Sequence, residues 1–197
     1  MKTECARSRD WGESAALLVG LVVFLGLRNR YTVGGPTLTL TFGVILVITC
    51  GLSIFWTIAG ARKLTRTVMT AAAAVSALVV VASMAKVVYL VVYQPGTISG
   101  TRLMETAISI WVSNVIVFAI AFHLLGDQDF VFPQAPGSAK ASVFLDYVFL
   151  SFTTSTAFSP TDTPPVTTRA RMYMMLEAAI SLTTIAVAAA RAVNILT

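Results

Sequence analysis

The chain has 197 residues, 56% of them hydrophobic and only 12% charged, against roughly 45–50% and 25% in soluble domains. Charge this sparse excludes an ordinary soluble domain and points to an integral membrane protein folded as one all-α bundle. Lys and Arg outnumber Asp and Glu by 14 to 9; they are scattered between apolar runs, which suits anchoring to lipid phosphates and not nucleic-acid binding.

In chain order, residues 14–27 form the first apolar run. At 1.5 Å per residue it covers about 21 Å of a hydrocarbon core about 30 Å thick. Trp11 and Tyr31 at the two interfaces, with Arg28 and Arg30 snorkelling, let it span where the bilayer thins. A cleaved signal peptide is the alternative, suited by Arg7 and Arg9, but no small-residue cleavage motif follows. Residues 37–61 carry no charge and are the clearest span. Residues 67–93 follow, interrupted only by Lys86, which snorkels. Residues 106–126 are next, entered just after Glu105. Cys5 and Cys50 have no partner motif, so they imply neither a disulfide framework nor a metal site, and no cofactor is expected.

A polar loop with Pro133, Pro136 and Gly137 leads to residues 142–157, an apolar run too short to cross, in which only Asp146 is charged. An acid in a helix's first turn stabilises the dipole, which accounts for Asp146 without a function. Pro164-Pro165 forbids a continuous helix into the last span, residues 172–195. The sequence therefore predicts five spans plus one re-entrant helix. A surface helix packed against the bundle is the plainer reading of the short run. A helix that instead aims at the bilayer centre turns its negative C-terminal end toward a cavity and favours cations.

Several polar residues lie within the spans. Glu177, Ser181, Thr184, Ala188 and Arg191 recur at helical spacing and share one face of the last helix. That face either borders a cavity or forms a packing seam with hydrogen bonds across it. Arg191, near the helix end, snorkels. Asn114 sits mid-span, where hydrogen bonding between helices is its expected use, and His123 reads as an interfacial residue. One histidine is too few for a metal-dependent intramembrane protease, and no serine has an evident general base nearby, so no enzyme is expected.

Residues 147–197 as a whole resemble the pore half of a potassium-channel-like module. Ser151, Phe152, Thr154, Thr156, Asp162, Pro164, Arg169 and Glu177 fall where that pattern has its Ser-Phe start, Thr pair, filter Asp, Pro, Arg and Glu. The resemblance puts the Thr-Val-Gly-Tyr-Gly-Asp filter on Ala157, Phe158, Ser159, Pro160, Thr161 and Asp162. The glycines are missing, and non-glycine residues in left-handed positions cost about 1–2 kcal/mol each. Pro160 further fixes the backbone, so a stacked ladder of filter carbonyls is not expected. The stretch also resembles a group of small bacterial membrane proteins with a Ser-Phe-Thr-x-x-Thr-Ala-Phe-Ser-Pro-Thr-Asp-Thr motif. Asp129 to Gln134, Trp111 to Phe118 and Ala190 to Ile195 match that group too.

These resemblances imply a single membrane domain. N-terminal spans fill residues 1–101, and a two-helix pore-like module fills 102–197, its re-entrant segment at 142–162. They imply a channel-like protein of the bacterial inner membrane, a homotetramer if it forms a pore, passing monovalent cations with little selectivity. The alternative is a non-conducting scaffold or binding protein. Positive-inside counting over Lys2, Arg7, Arg9, Arg62, Lys63 and Arg66 places the N-terminus inside, whereas the channel likeness requires N-out and C-in; the latter is adopted.

Overall fold

The computed structural model describes residues 62–94, 99–133, 142–156 and 162–196, with 62–66 and 191–196 described by backbone alone. The runs 14–27 and 37–61, the tip of the polar loop, the Arg191 side chain, and Ala157, Phe158, Ser159, Pro160 and Thr161 lie outside the described residues. Helix α1 is Arg62–Tyr93, α2 is Gly100–Leu125, α3 is Phe144–Ser155 and α4 is Thr168–Leu196. A short 3-10 turn, Asp127–Asp129, follows α2. Among the described residues the only β-type pairing is an isolated antiparallel bridge between Phe130 and Pro165.

Three helices are long and apolar enough to cross a membrane, over Thr67–Tyr93, Gly100–Leu125 and Thr168–Ala190. Helix α3, with 12 residues, reaches about 18 Å and is too short to do so. Three helices begin earlier than their apolar runs, α1 at Arg62 instead of 67, α2 at Gly100 instead of 106 and α4 at Thr168 instead of 172. A helix does not stop where its apolar residues stop. The carbonyls of Arg102 and Glu105 accept the Thr106 and Ser109 hydroxyls at 2.7 Å each. Helix α4 is capped by Thr167, whose Oγ1 accepts the Ala170 N–H at 3.3 Å and whose carbonyl accepts the Arg171 N–H at 3.1 Å.

Helix α2 is the centre, and α1, α3 and α4 all pack on it. The main core joins Met84 and Val87 of α1, Phe118 and Phe122 of α2, Tyr147 and Leu150 of α3, and Met174 and Ile180 of α4. A second cluster sets Met69 and Ala73, near the start of α1, against Ile120 near the end of α2, so these helices run antiparallel. Large apolar side chains such as Leu78, Leu145, Phe149, Met175 and Leu182 face outward. Lipid tails are as apolar as leucine, so in a bilayer the helices cohere by close packing and polar contacts more than by apolar burial.

Gly126 ends α2 by donating its N–H to the Phe122 carbonyl at 3.1 Å, with φ 92° and ψ 175°. That conformation is nearly exclusive to glycine. A Cβ there would meet only the Gln128 side chain, 4.0 Å away, so the penalty of adding one is conformational. Gly126→Ala should cost about 1–3 kcal/mol in reversible unfolding from detergent. Gly126→Asn should be no milder, because this ψ lies outside the left-handed helical region that asparagine tolerates.

Candidate functional site

The turn after α2 supplies two acids, each fastening a different later segment. The Asp129 side chain is fully buried and accepts Nε of Arg169 at 2.8 Å and Nη2 at 2.7 Å. This is the two-pronged geometry that a planar guanidinium offers a carboxylate. Thr167 Oγ1 donates to the same carboxylate. The backbone is stitched alongside: Val131 N–H reaches Pro164 O at 3.1 Å, and Val166 N–H reaches Asp129 O at 2.9 Å. The Arg169 hydrogen bond holds the Asp129 carboxyl below its ordinary range; burial opposes this, while Thr167 and the Arg169 charge assist.

Asp127 fastens the start of α3, accepting the hydroxyls of Tyr147 and Ser142. Asp146, in the first turn of α3, accepts the Val143 N–H at 2.8 Å and returns its own N–H to the Val143 carbonyl at 2.9 Å. The Tyr147 ring stands edge-on to His123 and to Phe132, 5.0 Å from each. Phe144 closes on His123 at 5.8 Å. His123, read from sequence as an interfacial residue, is therefore enclosed by aromatic rings. Composition alone gave no signal for that box, because its members come from α2, α3 and the loop between them.

From this end of the bundle α3 runs inward, and its last turn meets Glu177 of α4. Glu177 lies nine residues beyond Thr168, about 13.5 Å along the helix. The chain then returns to the same end, where Pro165 pairs with Phe130. Glu177 is fully buried. Its Oε1 is contacted by Ser151 Oγ, and Ser155 Oγ donates to it at 2.8 Å. Ser151 Oγ also donates to the Val115 carbonyl of α2 at 2.7 Å. Asn114 Nδ2 donates to Ser181 Oγ at 2.8 Å and to the Glu177 carbonyl at 3.3 Å. Four-residue spacing puts Ser151 and Ser155 on one face of α3, and that periodicity was the readable signal for both.

The residues singled out from sequence separate into two environments. Glu177, Ser181 and Thr184 are enclosed within the chain, Thr184 Oγ1 lying 3.1 Å from Met84 Sδ of α1. Thr154 is buried too, its hydroxyl bonded to the Leu150 carbonyl at 2.8 Å, so in this chain it packs instead of bordering a path. Thr156, half-buried, bonds the Phe152 carbonyl at 2.9 Å, and Asp162 is exposed. Among the described residues no three His, Cys, Asp or Glu side chains come together to hold a metal. No protein family, curated protein or solved structure matches the chain.

Two sets of substitutions follow from these contacts. Arg169→Ala strands a buried carboxylate, whereas Asp129→Asn removes the charge, so the arginine variant should melt lower in detergent. Because the folded-state Asp129 carboxyl sits below its ordinary value, its stabilisation is complete above that value. It is lost as pH falls through the lower folded-state value, and Asp129→Asn should lack that acid-dependent loss. Separately, Asn114→Leu should cost about 0.5–2 kcal/mol by thermal or denaturant unfolding, since Ser181 and the Glu177 carbonyl lose their donor.

Proposed function

We propose that this chain is a channel-like membrane protein of the bacterial inner membrane, built from five spans and one re-entrant helix, and that it passes monovalent cations with little selectivity. One observation carries the reading: α3 starts and the chain returns at the same end of the α2–α4 pair, with the tip of α3 held at mid-depth beside Glu177. A segment too short to cross, fastened at both ends to one side, has the arrangement of a pore loop. In the topology this reading requires, α3 enters from outside and α4 ends inside.

One chain supplies one such loop, so a central path needs a closed ring of copies, four in a channel of this type. Side chains would line the path, with Thr156 and Asp162 the best placed of the described candidates. A ring of Asp162 carboxylates favours cations without distinguishing their size closely.

A second reading, a non-conducting scaffold or binding protein, is favoured by a different observation. The polar face of α4 from Glu177 to Thr184 is consumed by hydrogen bonds inside the chain and leaves no charged stripe for a cavity.

Purified protein in liposomes separates the two. A tetramer in mild detergent or nanodiscs with cation flux, potassium favoured over sodium by less than about tenfold, is expected when backbone carbonyls do not form the selective ring. Asp162→Asn should lower cation preference and leave assembly intact. A persistent monomer in native lipid removes the pore reading, and a well-formed tetramer without flux of any small ion selects the scaffold.

A further inference from the structure

The hydrogen count around Glu177 is uneven. Ser151 has one hydroxyl hydrogen, yet its Oγ is in hydrogen-bond contact with two oxygens, the Val115 carbonyl and Glu177 Oε1. A backbone carbonyl only accepts, and an ionised carboxylate only accepts. With Glu177 ionised, one hydrogen would have to serve both. Glu177 Oε2 is moreover buried with no hydrogen-bond partner among the described residues, as is Asn114 Oδ1 beside the same cluster. A carboxylate in that state would be a buried charge with a single firm donor, Ser155, on one of its two oxygens.

We infer that Glu177 binds a proton on Oε1 and donates it to Ser151 Oγ, making a directional chain from Glu177 through Ser151 to the Val115 carbonyl that locks α3 between α2 and α4. With the proton in place every contact has its hydrogen. Oε1–H donates to Ser151, Ser151 donates to Val115 O, and Ser155 still donates to Oε1. Oε2 becomes the carbonyl oxygen of a neutral acid, whose missing partner matters far less than that of an anion.

No basic group among the described residues supplies an alternative. Around the carboxyl, α2 presents Asn114 and the Val115 carbonyl, and α3 presents Ser151 and Ser155. Helix α4 itself adds Ser181. Helix α1 reaches this face through Met84, and its Lys86 is exposed. Tyr147 lies one turn from Ser151 with its hydroxyl turned to Asp127. His123 is nine residues beyond Asn114, about 13.5 Å along α2. The site is thus a proton-binding site whose occupancy sets whether α3 is held. Losing the proton breaks the Glu177-to-Ser151 link and leaves an anion in the bundle centre. The inference rests on how α3 packs against α4 and does not depend on conduction.

Infrared spectroscopy of the full chain in lipid vesicles at neutral pH tests this. The wild type should show a protonated-carboxyl C=O stretch that is lost in Glu177→Gln. The amide NH2 of that variant donates to Ser151 as the acid does but cannot accept from Ser155, so the variant's melting temperature should fall less than that of Glu177→Ala. Absence of any such band assignable to residue 177 would overturn the proposal. So would carboxylate bands that shift with added sodium or potassium in the wild type alone, which would identify a cation site. Should Glu177→Gln not fold, Ser151→Ala keeps the acid and removes its acceptor. The band should then move to higher frequency, and an unmoved band would refute the donor direction.

Discussion

A carboxyl group placed where three helices meet and no water reaches sets the terms for this fold. Glu177 draws Ser151 and Ser155 of α3 onto α4, while Ser151 carries the connection on to Val115 of α2. In lipid, apolar surfaces gain little by touching one another, so directional polar contacts decide which faces meet. The contacts are specific because they demand a depth as well as a face. Ser151 and Ser155 reach Glu177 only when α3 has descended about a third of the way along α4. A helix lying flat across the end of the bundle would leave both hydroxyls and the acid unmatched.

The two aspartates of the loop after α2 complement this by fixing where α3 and α4 begin. Asp129 holds the start of α4 through Arg169 and Thr167, and Asp127 holds the start of α3 through Tyr147 and Ser142. Arg169 is more than half exposed while its partner is fully enclosed. The pair therefore sits at a boundary, where a guanidinium can keep its hydration and still reach inward. Pinned at its start and at its tip, α3 has little freedom to swing.

Much of this was legible in the sequence, for stated physical reasons. Long apolar runs almost free of charge identified α1, α2 and α4, because about 20 such residues are what crossing a bilayer requires. The proline pair at 164–165 marked the break before α4. The spacings of four and three between Glu177, Ser181 and Thr184 placed them on one face, and the mid-span position of Asn114 marked it for hydrogen bonding between helices. Helix boundaries were less visible, since Arg102, Glu105 and Arg169 sit in helical turns beyond the apolar runs. The pairing of Asp129 with Arg169 was not readable at all. Both belong to motifs, but their forty-residue separation leaves no periodicity to connect them. The same holds for the enclosure of His123 and for Thr154, which looks like a lining residue by motif and is a packed one by geometry.

The direction in which the chain is synthesised gives the α4 contacts another meaning. The carboxyl that meets both hydroxyls of the short helix, and the residues that satisfy Asp129, lie downstream of it, whereas Val115 of α2 precedes it. Asp129 waits forty residues for Arg169 and Ser151 waits 26 for Glu177. At about 5–20 residues per second, the Asp129 carboxylate stays unpaired for roughly two to eight seconds after it leaves the ribosome. During that interval α3 has its start tied to Asp127 and, toward its tip, only the Val115 carbonyl of α2 for Ser151. Insertion of α4 supplies the missing carboxyl and the missing cation together. Helix α4, made after α3, is thus the one that draws the short helix inward.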